Sequence, residues 1–157
     1  MSQPSDTAPS GLERRLSLRL LSYWRELRGD AAFPSKDDIV ATDITEMWNC
    51  CVLLKVEGHE IDPLIVHCGE SFKEMGIPDL ANQPLSSAPS PSLVANGLSY
   101  FNKVLEKRVP ITFGGEFTSP RNTRILYRSA ILPLSRNNET IDYLLAGANC
   151  REDSGES

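Results

Sequence analysis

The hydrophobic period of this chain changes twice between Cys51 and Ala148, and that change limits the folds open to it. Val52, Leu54 and Val56 alternate with Cys51, Leu53 and Lys55, the two-residue period of a strand, in a run ending at Gly58-His59. Leu64–Cys68 is a second short strand, and the turn between the two predicts a hairpin. From Ser92 the period lengthens. Val94, Leu98, Phe101 and Leu105 fall within roughly 60° on a helical wheel, so one long helix is expected from an N-cap at Ser92 to the stop at Arg108-Val109-Pro110. Ile111–Phe117, Thr123–Leu134 and Ile141–Ala148 then return to strand composition, with Ser135–Asn138 as a polar turn. Two strand groups therefore flank a helical middle. If all five share one antiparallel sheet, the middle helices cover one face, and the other is left to an N-terminal helix or a second subunit.

The N-terminal helix is the strongest in the chain. Leu12, Leu16, Leu20, Tyr23, Trp24 and Leu27 lie in an arc of roughly 120°, Leu21 widens it, Leu18 falls beyond its edge, and Gly29 is a stop signal. Arg14, Arg15, Arg19, Arg25 and Arg28 against Glu13 and Glu26 make it basic, although the chain carries a net charge of −5. Three readings fit this helix: a core-packed helix with a solvated charged face, a partner-binding or dimer helix with Leu18 and Leu21 as a second apolar edge, or a membrane-surface helix.

At 157 residues the chain suits a single domain. Its 40% hydrophobic and 24% charged residues suit a folded, soluble one. Residues 1–10 and the acidic stretch 152–157 read as disordered tails, leaving a domain over 11–151 whose N-terminal helix spans 11–28. Short helical turns are expected at Asp37–Ile39, Asp43–Trp48 and Glu70–Met75, the last closed by Gly76, and Gln83–Pro91 is a Pro/Ser loop. No apolar run is long enough to span a membrane. The acidic balance argues against nucleic acid as a partner. The polar start MSQPSDTAPS has no secretory pattern, so a cytoplasmic location is expected. Cys50, Cys51, Cys68 and Cys150 show no metal spacing and read as free, buried thiols, and Asn138-Glu139-Thr140 reads as a turn.

This layout resembles the PAS domain, and more narrowly the single-domain PAS family of alphaproteobacteria, over about residues 20–150. The resemblance rests on Tyr23-Trp24-Arg25-Glu26-Leu27-Arg28-Gly29, followed by Pro34, Asp38-Ile39 and Asp43-Ile44. It continues through Gly69, Gly76, Asp79 and Leu80, then Arg108-Val109-Pro110, and Ile131–Ser135 leading to Ile141–Leu145. Lys36 stands where the family has arginine, Ala41-Thr42 replaces an acidic-proline pair, Asn82 a glycine, and Asn137-Asn138 an aspartate-glycine turn. The resemblance implies an α+β fold: a five-stranded antiparallel sheet with helices on one face and an added N-terminal amphipathic helix. It implies a sensory or regulatory role, not catalysis, with a small molecule or an apolar cavity between the sheet and the middle helices. It also implies signalling through flanking helices.

The residues give catalysis and cofactors little support. Of the two histidines, His59 lies in a turn and His67 on the second strand, where a haem-binding PAS domain does not usually place its ligand. The short helix Glu70–Met75 has no cysteine for a flavin adduct. Gly69-Glu70-Ser71 lacks the second glycine of a nucleophile elbow, and Gly114-Gly115 alone makes no phosphate loop. No catalytic residue, metal or cofactor is expected. A candidate ligand pocket comprises Leu64 and Val66 on the second strand, Phe72 and Met75 on the short helix, Leu98 and Phe101 on the long helix, and Phe113, Tyr127 and Tyr143 on the last strands; a filled core is the plainer reading of the same residues. Leu16, Leu18, Leu20, Leu21 and Trp24 are the candidate interface. The expected partners are a second copy through the N-terminal helix, a signalling protein and a small apolar ligand. The rival function is a small α+β enzyme or ligand carrier using the same cavity, for which only His67, Glu70 and Asp142 offer titratable groups. Alternation alone does not say whether His67 or Cys68 faces inward.

Overall fold

A computed structural model of the chain describes the backbone of residues 8–153 and the side chains of residues 15–153. Helix α1 runs over Ala8–Arg28. It starts inside the stretch expected to be a tail; residues 1–7 lie outside the described residues. Its side chains sort as an amphipathic helix must. Leu16, Leu20 and Trp24 are buried, whereas Arg15, Leu18, Arg19, Ser22, Arg25 and Glu26 are exposed. Gly29 ends the helix at φ 53°, a left-handed conformation open to glycine, and its N–H donates to the Arg25 carbonyl.

The chain then makes two 3₁₀ turns, Lys36–Asp38 and Ala41–Ile44, and the single-turn helix α2, Thr45–Trp48. The Ser35 hydroxyl accepts from the Asp37 N–H while the Asp38 carboxylate accepts from the Ser35 N–H, which anchors the first turn. Strands β1 (Cys51–Lys55) and β2 (Leu64–Cys68) form the expected antiparallel hairpin. Helices α3 (Glu70–Glu74), α4 (Leu93–Gly97) and α5 (Phe101–Lys107) fill the middle of the chain. Strands β3 (Ile111–Thr118), β4 (Arg124–Leu134) and β5 (Tyr143–Asp153) close it.

All five strands join one antiparallel sheet in the order β2-β1-β5-β4-β3. The middle helices lie on one face and α1 on the other. Trp24 donates its indole N–H to the Pro133 carbonyl at 2.7 Å, and Leu20 fills the space above Gly147. Because both faces are covered, Cys51, Val52, Leu53 and Leu54 are all buried, which explains why β1 is apolar at both parities. Pro133 sits in β4 beyond the last β3 pairing, Ile111↔Ile131, so its missing N–H costs no bond to β3. At the opposite edge β2 is shielded by the Pro/Ser loop: Ile65 N–H donates to the Gln83 carbonyl, and Leu85 N–H to that of Pro63.

Two expectations are corrected. The single long helix is two short ones. Ser92 caps the first through its hydroxyl, which accepts from the Ala95 N–H. The Gly97 carbonyl, which would carry the helix on, instead accepts from the buried Ser129 hydroxyl, and the Phe101 N–H turns to the Leu98 carbonyl. Asn96-Gly97 is a weak helical pair, so one tertiary hydrogen bond suffices to break it. The acidic tail begins later than expected, since Glu152 and Asp153 are paired in β5 opposite Ile125 and Arg124. Arg124 holds Asp153 at 3.1 Å, so this acidic end is neutralised within the sheet. Residues 154–157 lie outside the described residues.

Candidate functional site

Register sorts the strand side chains onto the two faces. Opposed residues of antiparallel strands share a face, so the pairs Val52↔Ala146, Ser129↔Ala148 and Phe113↔Ser129 put these residues on one side. Gly97 marks that side as the one under the middle helices, because a Cβ on it would lie 3.2 Å from the Ala148 Cβ. By the same parity Tyr127, Phe117, Ile125 and Cys150 face the middle helices, as does Cys68 through its pairing with Val52. His67, opposite Leu53, faces the α1 side. There it stacks on Trp48, ring centroids 4.0 Å apart, with its Nε2 3.2 Å from the Trp48 carbonyl. Burial holds its imidazole below its ordinary pKa, partly opposed by that carbonyl. Burial likewise raises the thiols of Cys51 and Cys68, which makes them poor nucleophiles.

Of the nine predicted pocket residues, Phe72, Leu98 and Tyr127 are buried in the middle-helix layer, and Phe101 and Phe113 pack half-buried against it. Phe113 contacts Tyr127 edge-on at 6.2 Å and Tyr100 at 4.6 Å, and Phe117 lies 6.0 Å from Tyr127. The Tyr127 hydroxyl donates to the Asn96 carbonyl at 3.4 Å, and burial raises its pKa. This cluster is packed core. Leu64 and Tyr143 do not join it: they pair with Lys55 on the α1 side, where the Lys36 ammonium lies 5.1 Å from the Tyr143 ring centroid. Val66 is the extra residue where the β1–β2 register shifts, so alternation misplaces its neighbours on β2.

A cavity of about 540 Å³ opens instead at the end of the sheet. Met75 and Ile77 after α3, Pro89, Pro91 and Ser92 before α4, Leu93 at its start, and Phe117, Ile125 and Cys150 from three strand ends enclose it. Ser119, Arg121, Arg151 and Glu152 form its polar rim, where Arg121 and Glu152 pair at 3.7 Å. The Cys150 thiol and the Met75 thioether lie 3.9 Å apart on its wall. The volume is in the range of small-molecule sites, and an apolar wall with a charged rim suits a molecule with an apolar body and one polar end. Met75 is the only predicted pocket residue that lines it. The others were missed because their strand ends meet only in three dimensions; the one available signal was Phe117, which repeats the parity of Phe113.

The interface candidates also divide. Leu16, Leu20 and Trp24 are spent on the chain's own sheet. Leu21 is half-buried, and Leu18 is 52% exposed. Among the described residues no group of three or more His, Cys, Asp or Glu side chains is placed to hold a metal ion, and no helix is long and apolar enough to cross a membrane.

A five-stranded antiparallel sheet in this order, with short helices over one face and an amphipathic helix over the other, defines the class of α+β domains built on a single sheet. Residues 12–148 match the PAS domain family, and the chain belongs to that family. Among solved structures it is similar to the LOV protein of Rhodobacter sphaeroides, with a TM-score of 0.50 and 11% identity over 74% of this chain and 71% of that one. It is similar also to the PAS domain of a Colwellia psychrerythraea protein, with a TM-score of 0.49 and 12% identity over 75% and 100%. A third is the LOV domain of the blue-light activated histidine kinase of Erythrobacter litoralis, with a TM-score of 0.49 and 8% identity over 66% and 95%. At such identities the likeness to the Rhodobacter protein establishes a shared fold alone. No curated protein sequence matches the chain.

Proposed function

We propose that this PAS domain is a non-enzymatic regulator that acts by protein–protein contact and is tuned by a small, mainly apolar molecule held in the sheet-end cavity. The observation that carries the reading is the cavity itself. It opens onto the inner face of the sheet, and two of the three strands that wall it, β4 and β5, are the ones on whose outer face α1 rests. A molecule that shifts β4 or β5 thereby shifts the seat of α1, the element offered to partners. The blocks Tyr23–Gly29 and Ile131–Ser135 support placement among the single-domain PAS proteins of alphaproteobacteria. The four free cysteines fit a reducing, cytoplasmic setting.

The test is a thermal-shift and native mass-spectrometry screen against small amphipathic compounds. A ligand at about 100 times its dissociation constant adds roughly 2.7 kcal/mol of stability. Met75→Trp, which extends an exposed wall residue into the cavity, is expected to abolish that shift. A hit whose shift survives Met75→Trp places the ligand elsewhere, and a screen with no hit removes ligand tuning from the reading.

A further inference from the structure

The outward side of α1 carries positive charge that no other described residue answers. Arg15, Arg19 and Arg25 stand on one exposed arc with Leu18, Ser22 and Glu26. Among the described residues none of these three guanidinium groups has an ion pair or a side-chain hydrogen bond. Several other arginines are engaged, although the exposed Arg128 on β4 has no partner among the described residues. Arg28 lies over Trp24 and Arg108 over Phe33, while Arg121, Arg124 and Arg136 hold carboxylates. In a chain of net charge −5, three cations without a partner among the described residues thus stand on one stripe around the half-exposed Leu18.

We infer that this stripe docks an acidic amphipathic segment of a partner protein. Carboxylates of the segment meet the guanidinium groups as bidentate pairs, and an aliphatic side chain covers Leu18 and the edge of Leu21. The inference rests on the reading that the domain acts through protein contact, and it names the chemistry of that contact. A second copy fits poorly, because a two-fold pairing would set each arginine stripe against itself. A bilayer fits poorly, because the large apolar side chains Leu16, Leu20 and Trp24 are buried against the sheet, and among the described residues of α1 Leu18 is the one large apolar side chain that is exposed. A nucleic acid would meet the repulsion of the whole acidic chain.

The experiment measures binding of the full chain to a synthetic Glu/Leu amphipathic helix and to its Lys/Leu twin, by fluorescence anisotropy at low and physiological salt. The Glu peptide is expected to bind, more weakly as salt rises, and the Lys peptide is not. R15E/R19E/R25E is expected to weaken binding by about tenfold or more, with an unchanged circular dichroism spectrum because the three side chains are exposed. Equal binding of both peptides, no binding, or undiminished binding to the triple variant overturns the inference. Tighter binding of phosphatidylserine vesicles or of a single-stranded oligonucleotide overturns it in favour of that class. A dimer in light scattering that L18S dissolves overturns it in favour of self-association. Photo-crosslinking amino acids placed in cells at Ser22 and, separately, at the exposed Thr112 of β3 separate this inference from the broader reading. Crosslinks from Thr112 alone refute the stripe and leave the regulator standing; crosslinks from neither position refute both.

Discussion

The seat of α1 on the sheet is testable through one pair of atoms. Leu20 is fully buried, and its Cδ2 lies 2.6 Å from the point where a Cβ on Gly147 would sit. The leucine therefore occupies the space that any side chain at position 147 would need. Leu20→Ala removes three carbons, worth about 0.8 kcal/mol each by transfer, and leaves a cavity, so a loss of about 3–5 kcal/mol is expected. Gly147→Ala alone forces the leucine aside, at about 1–3 kcal/mol. Together the two changes relieve each other, since the new methyl enters the vacated space. The double variant is expected to cost about 1–2 kcal/mol less than the sum of the singles. Urea unfolding followed by tryptophan fluorescence measures all four corners of the cycle, with a constant slope showing that the unfolded state is unchanged. Additivity within about 0.5 kcal/mol, or a Leu20→Ala cost below about 1 kcal/mol, would refute the docking geometry and with it the route from cavity to α1.

Two further outcomes follow from the hairpin region. Burial keeps the His67 imidazole below its ordinary value of 6.5, so the unfolded chain takes up a proton that the folded chain resists. Stability is expected to be full above about pH 6.5 and to fall as pH drops towards the folded pKa, a slope that His67→Asn removes; urea midpoints at about pH 7.5 and 5.5 check it, and an equal slope in both proteins contradicts it. Gly69→Ala would set a methyl 2.1 Å from the Asn49 carbonyl oxygen, a backbone atom that has no rotamer to yield, and is expected to cost more than about 3 kcal/mol. Gly76→Ala, at φ 93° with open space around it, is expected to cost about 1 kcal/mol, so thermal melts that rank the two the other way would show the 49–69 contact to be wrong.

Much of the architecture was legible because periodicity reports one-dimensional facts. The wheel of α1 predicts which of Leu16, Leu18, Leu20 and Trp24 turn inward, and the observed burial agrees residue by residue. The β1–β2 hairpin and the three closing strands follow from the same logic. What the wheel could not say is what the inward side would meet. A buried stripe reads identically whether it packs on its own sheet or on a second copy, and only the contacts of Leu20 and Trp24 with β4 and β5 resolve the difference.

The chain order of amino acids by itself determined the element types, the five-strand inventory and the amphipathic N-terminal helix, which depend on patterns within a short window, and membership of the PAS family, which is read from motifs spread along residues 12–148. Tertiary structure alone decided that Ser129 interrupts the expected long helix, that a bulge at Val66 resets the faces of β2, and that the cavity lies among strand ends rather than over the aromatic core. The physical reason is distance along the chain. Each of these outcomes depends on a hydrogen bond, a register or a gap between atoms that are far apart in sequence, and the energy of such a contact is written in no local pattern.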